Sequence, residues 1–199
     1  MTYTIIGLIF LLSFYFYSSL FYPILNSDNG ASILMVYYFK LPNDLYFWGQ
    51  DRAGSLIPLI GQIFNKILNF SALQSEAITH YLILLLGFLA FSTFLKSYFY
   101  KIIFAIIWFF PPMRLIDVTQ FYYGIHYSII AIACYLFVYY KKEKIQNSPL
   151  KRHLILSSIT ILLIVAVWVS DMALVSVFLL LMIQVYFYLK ENKLTVSIF

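Results

Sequence analysis

Six of the charged or titratable side chains between the apolar runs or at their ends could carry chemistry: Asp28, Asp51, Arg52, Arg114, His126 and Asp171. A carboxylate such as that of Asp28 acts as a general base when it reaches the hydroxyl that it deprotonates. An arginine such as Arg52 binds phosphate through charge-assisted hydrogen bonds, and backbone N–H groups beside it add further donors. These residue types therefore allow proton abstraction next to a bound phosphate.

Each of these residues also has a structural interpretation. Asp28 suits the N-cap of a following helix, and a capping carboxylate still keeps one oxygen for a substrate. Asp51 and Arg52, in the segment WGQDRAGS, suit a solvated turn with a local ion pair. His126 suits a structural hydrogen bond, and Asp171 suits a turn or the N-cap of a last helix. Both interpretations stay open on residue type alone.

The composition indicates which solvent surrounds the chain. Its 199 residues are 63% hydrophobic and only 11% charged, whereas a soluble domain carries about 25% charged residues. The net charge of +5 comes from short basic clusters between apolar runs and not from a basic stripe, so we expect no nucleic-acid partner. The expected surroundings are therefore a lipid bilayer.

Motifs for cofactors and metals are missing from the sequence. No spacing of His, Asp or Glu resembles a metal-binding helix, and neither a P-loop nor a dinucleotide fingerprint is present. Cys134 is the only cysteine, which excludes an internal disulfide and a cysteine-rich metal site. No cofactor is expected, and no divalent metal is indicated.

The apolar runs predict an all-α membrane protein with about six transmembrane helices in one domain, residues 1–199. The stretch Leu154–Leu189 is far too long for one crossing of a ~30 Å hydrocarbon core. It divides at Ser170 and Asp171, because a charge at the bilayer centre is costly. The predicted spans are about 4–22, 78–95, 98–112, 124–140, 154–170 and 172–189.

The outer loop at residues 26–74 is predicted to hold one or two amphipathic helices that lie in the membrane interface. From Leu56, apolar residues recur at positions 56, 57, 60, 63, 64, 67 and 68. The opposite, water-facing side is polar: Gln62, Asn65, Lys66 and Asn69. A shorter helix is predicted within Gly30–Lys40, with Ser27 or Asp28 as its N-cap. The residues between these two helices are rich in turn formers.

The basic residues predict the orientation of the chain. With the N-terminus inside, nine lysines and arginines fall on inner segments and four on outer ones, so both termini are predicted to be cytoplasmic in a plasma membrane, the inner membrane of a bacterium. Six acidic residues then lie outside: Asp28, Asp44, Asp51, Glu76, Asp117 and Asp171. Acidic residues contribute little to topology. The position of these six acidic residues on one side of the membrane therefore indicates an active site for a lipid-borne phosphate substrate, or equally the mouth of a transporter.

The order of these features resembles the GT-C superfamily of membrane glycosyltransferases, which use polyprenyl-phosphate sugars. The resemblance lies in the opening Asp28-Asn29-Gly30-Ala31, in Leu41-Pro42 and in the segment Phe47–Leu56, which reads FWGQDRAGSL. It extends more loosely to Gly124-Ile125-His126 and to Trp168 with Asp171. The resemblance implies that Asp28 activates the acceptor and that the Gln50–Gly54 loop, with Gln50, Asp51 and Arg52, lies near the donor phosphate.

We therefore expect a glycosyltransferase that displaces polyprenyl phosphate from a sugar, with Asp28 as base and Arg52 and Arg114 facing the leaving phosphate. A flippase or transporter is the first alternative, and a non-catalytic membrane subunit is the second. Members of the family are usually longer, so a larger membrane partner or a further C-terminal portion is also expected. A transporter should carry ionisable residues near the bilayer midplane, and the apolar runs are nearly free of charge.

Overall fold

A computed structural model describes residues 2–22, 27–50, 53–111, 122–140 and 149–191, and these form eight α-helices. A single turn of 3₁₀ helix, Tyr122–Ile125, precedes the sixth of them. The described residues contain no β-strand, only an isolated bridge between Tyr46 and Gly54. The helices are α1 Thr2–Tyr17, α2 Ser27–Tyr38, α3 Leu56–Leu68, α4 Ala72–Ser92, α5 Tyr98–Phe109, α6 His126–Tyr140, α7 Pro149–Val169 and α8 Ala173–Glu191. The predicted all-α class is confirmed for this part of the chain.

One helix of the described residues, α4, is long and apolar enough by length and composition to cross a membrane. The other apolar stretches run for 10–17 residues, fewer than the ~20 that a hydrocarbon core requires. They are Thr2–Tyr17, Leu56–Leu68, Tyr98–Phe109, His126–Tyr140, His153–Val169 and Ala173–Ile183. A membrane-like helical character is therefore supported, and the six crossings stay a prediction.

Helix α4 begins at Ala72, although the apolar run predicted a start near residue 78. The earlier start follows from a capping box. Ser71 Oγ accepts the Gln74 N–H at 3.2 Å, and Gln74 Oε1 accepts the Ser71 N–H at 3.0 Å. This pair satisfies two backbone donors that a helix start otherwise leaves unpaired. The polar residues before the apolar run are thus helical.

Helix α4 lies between two apolar clusters. The first joins it to α1 and α5 through Ile6, Tyr81, Leu84, Phe88, Ala105 and Phe109. The second joins it to α2, α3, α6, α7 and α8, and contains Met35, Phe47, Ala53, Ile57, Ile83, Ile125, Ile129, Ile130, Ala166, Val169 and Ala173 among its buried members. Gly87 allows α4 to approach α6 closely, because a Cβ there would lie 2.5 Å from the Cα of Ser128. Helices α2, α3, α5 and α6 contact α4 directly, whereas α7 packs mainly on α6, and α8 packs on α6 and α7.

Helix α3 begins at Leu56, as its apolar period predicts, but two residues of its predicted polar side, Gln62 and Asn65, bind backbone carbonyls. Gln62 Nε2 donates to the carbonyl oxygen of Phe39 at 2.8 Å, and Asn65 Nδ2 donates to that of Phe70 at 2.7 Å. Apolar side chains are exposed on α3 together with Lys66, and Ile67 is 71% exposed. The two amides therefore hold neighbouring loops. The spacing of polar residues along a helix does not show whether their side chains bind water or another part of the chain.

The first testable consequence concerns the capping box. Ser71→Ala is expected to lower the free energy of unfolding by about 1 kcal/mol, because it removes the acceptor for the Gln74 N–H. Denaturant titration of the detergent-solubilised protein measures this. Ser158→Ala is the control, since exposed Ser158 donates only to Leu154 within its own helix and should change stability by less than about 0.5 kcal/mol. Equal effects of both substitutions would contradict the cap.

Candidate functional site

The segment between α2 and α3 folds into a closed loop, here called the docking loop, residues 40–50 and 53–55. Asp44 organises its first half, since its Oδ2 accepts the Lys40 N–H at 2.6 Å and its Oδ1 accepts Trp48 Nε1–H at 2.8 Å. Gly49 has a φ of 78°, a value that glycine adopts most readily. The Gln50 N–H then returns to the carbonyl of Phe47 at 2.9 Å. Partly buried Gln50 therefore lies on a tight turn.

The docking loop is bound to the C-terminal end of α7. The Gly54 N–H donates to the carbonyl oxygen of Trp168 at 2.7 Å, and Trp168 Nε1–H donates to the carbonyl oxygen of Leu45 at 3.1 Å. No side chain fits at Gly54, because a Cβ would lie 2.5 Å from the Trp168 ring. The loop that carries Gln50 is therefore bound to Trp168, three residues before Asp171.

Asp171 lies on the turn between α7 and α8, at the predicted break in the long apolar stretch. The turn is closed by the Ala173 N–H, which donates to Ser170 O at 2.9 Å, and by the Leu174 N–H, which donates to Asp171 O at 3.0 Å. The side chain of Asp171 is exposed. It is therefore accessible from the same end of α7 as the docking loop.

Asp28 lies in the first turn of α2 and is partly buried. The predicted N-cap role is not what the structure shows, because α2 already begins at Ser27. The first turn of a helix favours a negatively charged side chain, since the backbone N–H groups there point outward. Helix α2 contacts the docking loop through Met35, whose sulfur accepts the Trp48 N–H at 3.4 Å. That contact is seven residues, or ~10 Å along the helix, from Asp28.

His126 opens α6 and is buried, with 2% of its surface exposed. Its ring lies against that of Tyr127, with centroids 4.0 Å apart. This burial fits the structural interpretation better than direct contact with a substrate. The remaining predicted site residues, Asp51, Arg52 and Arg114, lie outside the described residues.

One apolar cluster connects the elements that carry the described site residues. It contains Met35 of α2 and Phe47 of the docking loop, together with Ile125, which immediately precedes His126. It also contains Val169 and Ala173, which flank the turn with Asp171. Four segments far apart in sequence are thus packed on a single core.

Sequence reasoning counted Glu76 as an outer acid but did not include it in the site. Its side chain is 1% exposed and accepts a short hydrogen bond from Ser19 Oγ. His80, also 1% exposed, follows one helical turn later on α4. The signal that could have found this pair is its spacing of four residues, which places both side chains on one face of a helix. Because the helix was predicted to start near residue 78, Glu76 was assigned to a loop and its pairing with His80 on one helix face was not recognised.

The described residues contain no group of three His, Cys, Asp or Glu side chains placed to hold a metal ion. Comparison with protein-family models, with curated proteins and with solved structures finds no match to this chain. The described residues define an all-helical protein with one helix, α4, of membrane-spanning length. The docking loop, which contains Gly49 and Gly54, is hydrogen-bonded to the C-terminal end of α7.

Trp168→Phe is expected to loosen the docking loop, because it removes the hydrogen bond to Leu45 and keeps most of the ring. The free energy of opening the loop should fall by about 0.5–1.5 kcal/mol. Amide hydrogen exchange should then be faster in residues 44–55. Trp108→Phe is the control, since Trp108 Nε1–H donates to Leu84 O at 3.0 Å, between α5 and α4. It should lower stability similarly without selective exchange in the loop. Unchanged loop exchange in Trp168→Phe would show that the hydrogen bond does not hold the loop.

Proposed function

We propose that this chain is a membrane glycosyltransferase of the GT-C type, which transfers a sugar from a polyprenyl-phosphate donor to an acceptor hydroxyl at the outer face of the membrane. The observation that carries the proposal is the binding of the docking loop to Trp168, through hydrogen bonds of 2.7 and 3.1 Å. This contact brings the segment with the GT-C resemblance, Phe47–Leu56, against a second segment of the same resemblance, at Trp168 and Asp171.

The surface of the helices supports a membrane location. Large apolar side chains are exposed on many helices, with Leu11 of α1 60%, Ile67 of α3 71%, Ile164 of α7 63% and Phe178 of α8 63% exposed. Water-soluble monomers rarely expose such extended apolar surface, whereas lipid covers it favourably. The proposed arrangement has six crossings with both termini cytoplasmic, in the plasma membrane of a bacterium.

In the proposed reaction, a carboxylate oxygen of Asp28 takes the proton of the acceptor hydroxyl. The acceptor oxygen attacks the anomeric carbon of the donor sugar, the bond from that carbon to the phosphate oxygen breaks, and polyprenyl phosphate leaves. Arg52 and Arg114 balance the charge that develops on the leaving phosphate, and Gln50 adds a polar contact from its turn. Asp51 and Asp171 are assigned to substrate binding.

Buried His126 is proposed to hold the start of α6 in the site rather than to touch the sugar. Its neighbour Ile125 is fully buried in the cluster that also contains Phe47 of the docking loop. Ile125 therefore connects the start of α6, where His126 lies, to the docking loop through packing.

A lipid-linked donor needs an apolar place for its chain. A cavity of about 370 Å³ lies between α4, α6, α7 and α8 and is lined almost entirely by apolar side chains, among them Phe91, Phe137 and Leu180. Phe137 is eleven residues after the start of α6, or ~16 Å along the helix. The cavity is thus within reach of an extended isoprenoid whose phosphate lies at the docking loop.

A flippase or transporter is the second candidate, and Glu76 with His80 is the observation that favours it. Ionisable residues buried in a helix of membrane-spanning length commonly mark a transport or proton path. Both residues are 1% exposed in α4. This pair weakens the argument from sequence that the apolar runs are free of ionisable groups.

Reconstitution into lipid vesicles distinguishes the two candidates. The protein is supplied with a polyprenyl-phosphate sugar labelled in the sugar, together with outer-membrane or cell-wall extracts as acceptor. Glycosyl transfer predicts that the label moves from the polyprenyl-phosphate donor to the acceptor, with one polyprenyl phosphate released for each sugar transferred. Movement of intact labelled donor between leaflets, with no new glycosidic product, would replace the proposal by the transporter.

A further inference from the structure

Two aromatic side chains of the docking loop, Tyr46 and Trp48, are 44% and 38% exposed, whereas Phe47 between them is 1% exposed. Phe47 packs into the apolar core, so the two neighbouring rings face the surface instead. Asp44 binds the indole N–H of Trp48. We propose that Asp44, Tyr46 and Trp48, here called the aromatic patch, bind the sugar ring of the lipid-linked donor, and that this sugar is uncharged. The inference rests on the proposed function and deepens it.

Trp48 is held in position from two directions. Its backbone N–H donates to the sulfur of Met35 in α2 at 3.4 Å, and its indole N–H donates to Asp44 Oδ1 at 2.8 Å. Asp44 is itself fixed, because its Oδ2 accepts the Lys40 N–H at 2.6 Å and its carbonyl oxygen accepts the Ser55 hydroxyl. An exposed ring that is already held in this way loses little conformational entropy when a ligand stacks on it.

Aromatic rings beside a carboxylate match the two kinds of surface that a sugar presents. The C–H groups on one side of a pyranose form an apolar face that packs on an aromatic ring, while its hydroxyl groups donate hydrogen bonds. An ionised carboxylate has about four acceptor positions, and the described residues occupy two of them on Asp44. Asp44, which is only partly buried, therefore retains acceptor positions for sugar hydroxyl groups.

The negative charge of Asp44 determines which part of the donor lies beside it. A phosphate group or a sugar carboxylate would be repelled there, because like charges placed together are strongly unfavourable. The donor phosphate is therefore assigned to the residues after the Gly49 turn, beginning at Gln50, and the sugar to the residues before that turn. An uncharged sugar satisfies this arrangement, whereas a uronic acid does not.

A tryptophan that only anchors the loop in the membrane interface is the alternative for Trp48. Such an anchor directs its indole N–H toward water and lipid head groups. The indole N–H of Trp48 is bound within the loop by Asp44 instead. This internal hydrogen bond favours a ring that is positioned for a ligand.

The first test compares the affinities of sugar-bearing probes with that of farnesyl phosphate, by titration calorimetry of the detergent-solubilised protein. The probes are farnesyl-phosphate glucose, galactose, mannose and glucuronic acid. At least one of the three uncharged sugars should tighten binding, and glucuronic acid should not. Trp48→Ala should lower this preference about tenfold while the affinity for farnesyl phosphate stays unchanged. Tyr38→Ala should retain the preference, since Tyr38 is 56% exposed in α2 but lies outside the aromatic patch.

Two outcomes of this titration would overturn the proposal. One is a wild type that prefers none of the uncharged sugars, and the other is an equal loss of affinity for every probe in Trp48→Ala, which would assign Trp48 to the membrane interface. The role of Asp44 is tested by its charge. Asp44→Asn should bind the glucuronic acid probe as tightly as the best uncharged one, and continued rejection of that probe would contradict the assignment of Asp44.

Fluorine NMR of the protein labelled with 5-fluorotryptophan separates this proposal from the proposed function. The chain has three tryptophans, and substitution by phenylalanine assigns each resonance. The best uncharged probe should shift the Trp48 resonance, and farnesyl phosphate should not. Trp108, which lies between α5 and α4, should respond to neither. A Trp48 shift without sugar transfer in vesicles would refute only the glycosyltransferase, whereas sugar transfer without a Trp48 shift would refute only the aromatic patch.

Discussion

An Asp28→Asn variant is expected to transfer sugar ~10²–10⁴-fold more slowly than the wild type, the usual loss when a general base is removed. Asparagine matches aspartate in size but has no basic oxygen to accept the acceptor proton. The rate of label transfer from a polyprenyl-phosphate sugar in lipid vesicles measures the effect. The assay uses the full-length protein, so that every element that packs on α2 is present.

Folding should be nearly unaffected by this substitution. Asp28 lies in the first turn of α2 and is partly buried, where loss of a negative charge near the helix N-terminus costs typically 0.3–1 kcal/mol. Thermal unfolding and the yield of inserted protein should therefore match the wild type closely. Full transfer activity in Asp28→Asn would assign Asp28 to the helix terminus alone and would remove the base from the proposed reaction.

Local signals were sufficient to predict most helix positions. The start of α3 at Leu56 follows from a 3.6-residue apolar period, and the break at Ser170 follows from the length of the apolar stretch and from Asp171. Both features depend on neighbours within a few residues. The predicted start near residue 78 failed for α4 because composition counts Gln74 and Glu76 as loop residues, although Gln74 completes a capping box.

The candidate site was less accessible to sequence reasoning because its contacts are non-local. Trp168 donates to Leu45, 123 residues away, and Ser19 donates to Glu76, 57 residues away. Trp168 has the residue type of a membrane-interface anchor, and nothing near it in sequence indicates that it packs against Gly54. Likewise, Gln62 has the residue type of a solvated helix face, and only the fold shows that it binds the carbonyl of Phe39.

The largest effect on folding is expected from Gly54→Ala. The new methyl group would lie 2.5 Å from the Trp168 ring and 2.7 Å from the Trp168 carbonyl oxygen. The backbone oxygen cannot move without the end of α7, so the docking loop must move away instead. Overpacking of this kind costs roughly 1–3 kcal/mol, and weakening of the Gly54–Trp168 hydrogen bond adds about 0.5–1.5 kcal/mol. Denaturant titration in detergent should show the sum as a lower unfolding midpoint.

Gly7→Ala is the matched control for this prediction. Gly7 lies within α1, and a Cβ there would have no atom within 4 Å, so alanine should stabilise the helix by roughly 0.5–1 kcal/mol. Gly54→Ala should also reduce sugar transfer, because Gln50 moves with the docking loop, whereas Gly7→Ala should not. A Gly54→Ala protein with wild-type stability and wild-type transfer would mean that the loop does not need its contact with Trp168. The observation that carries the proposed function would then have no functional consequence.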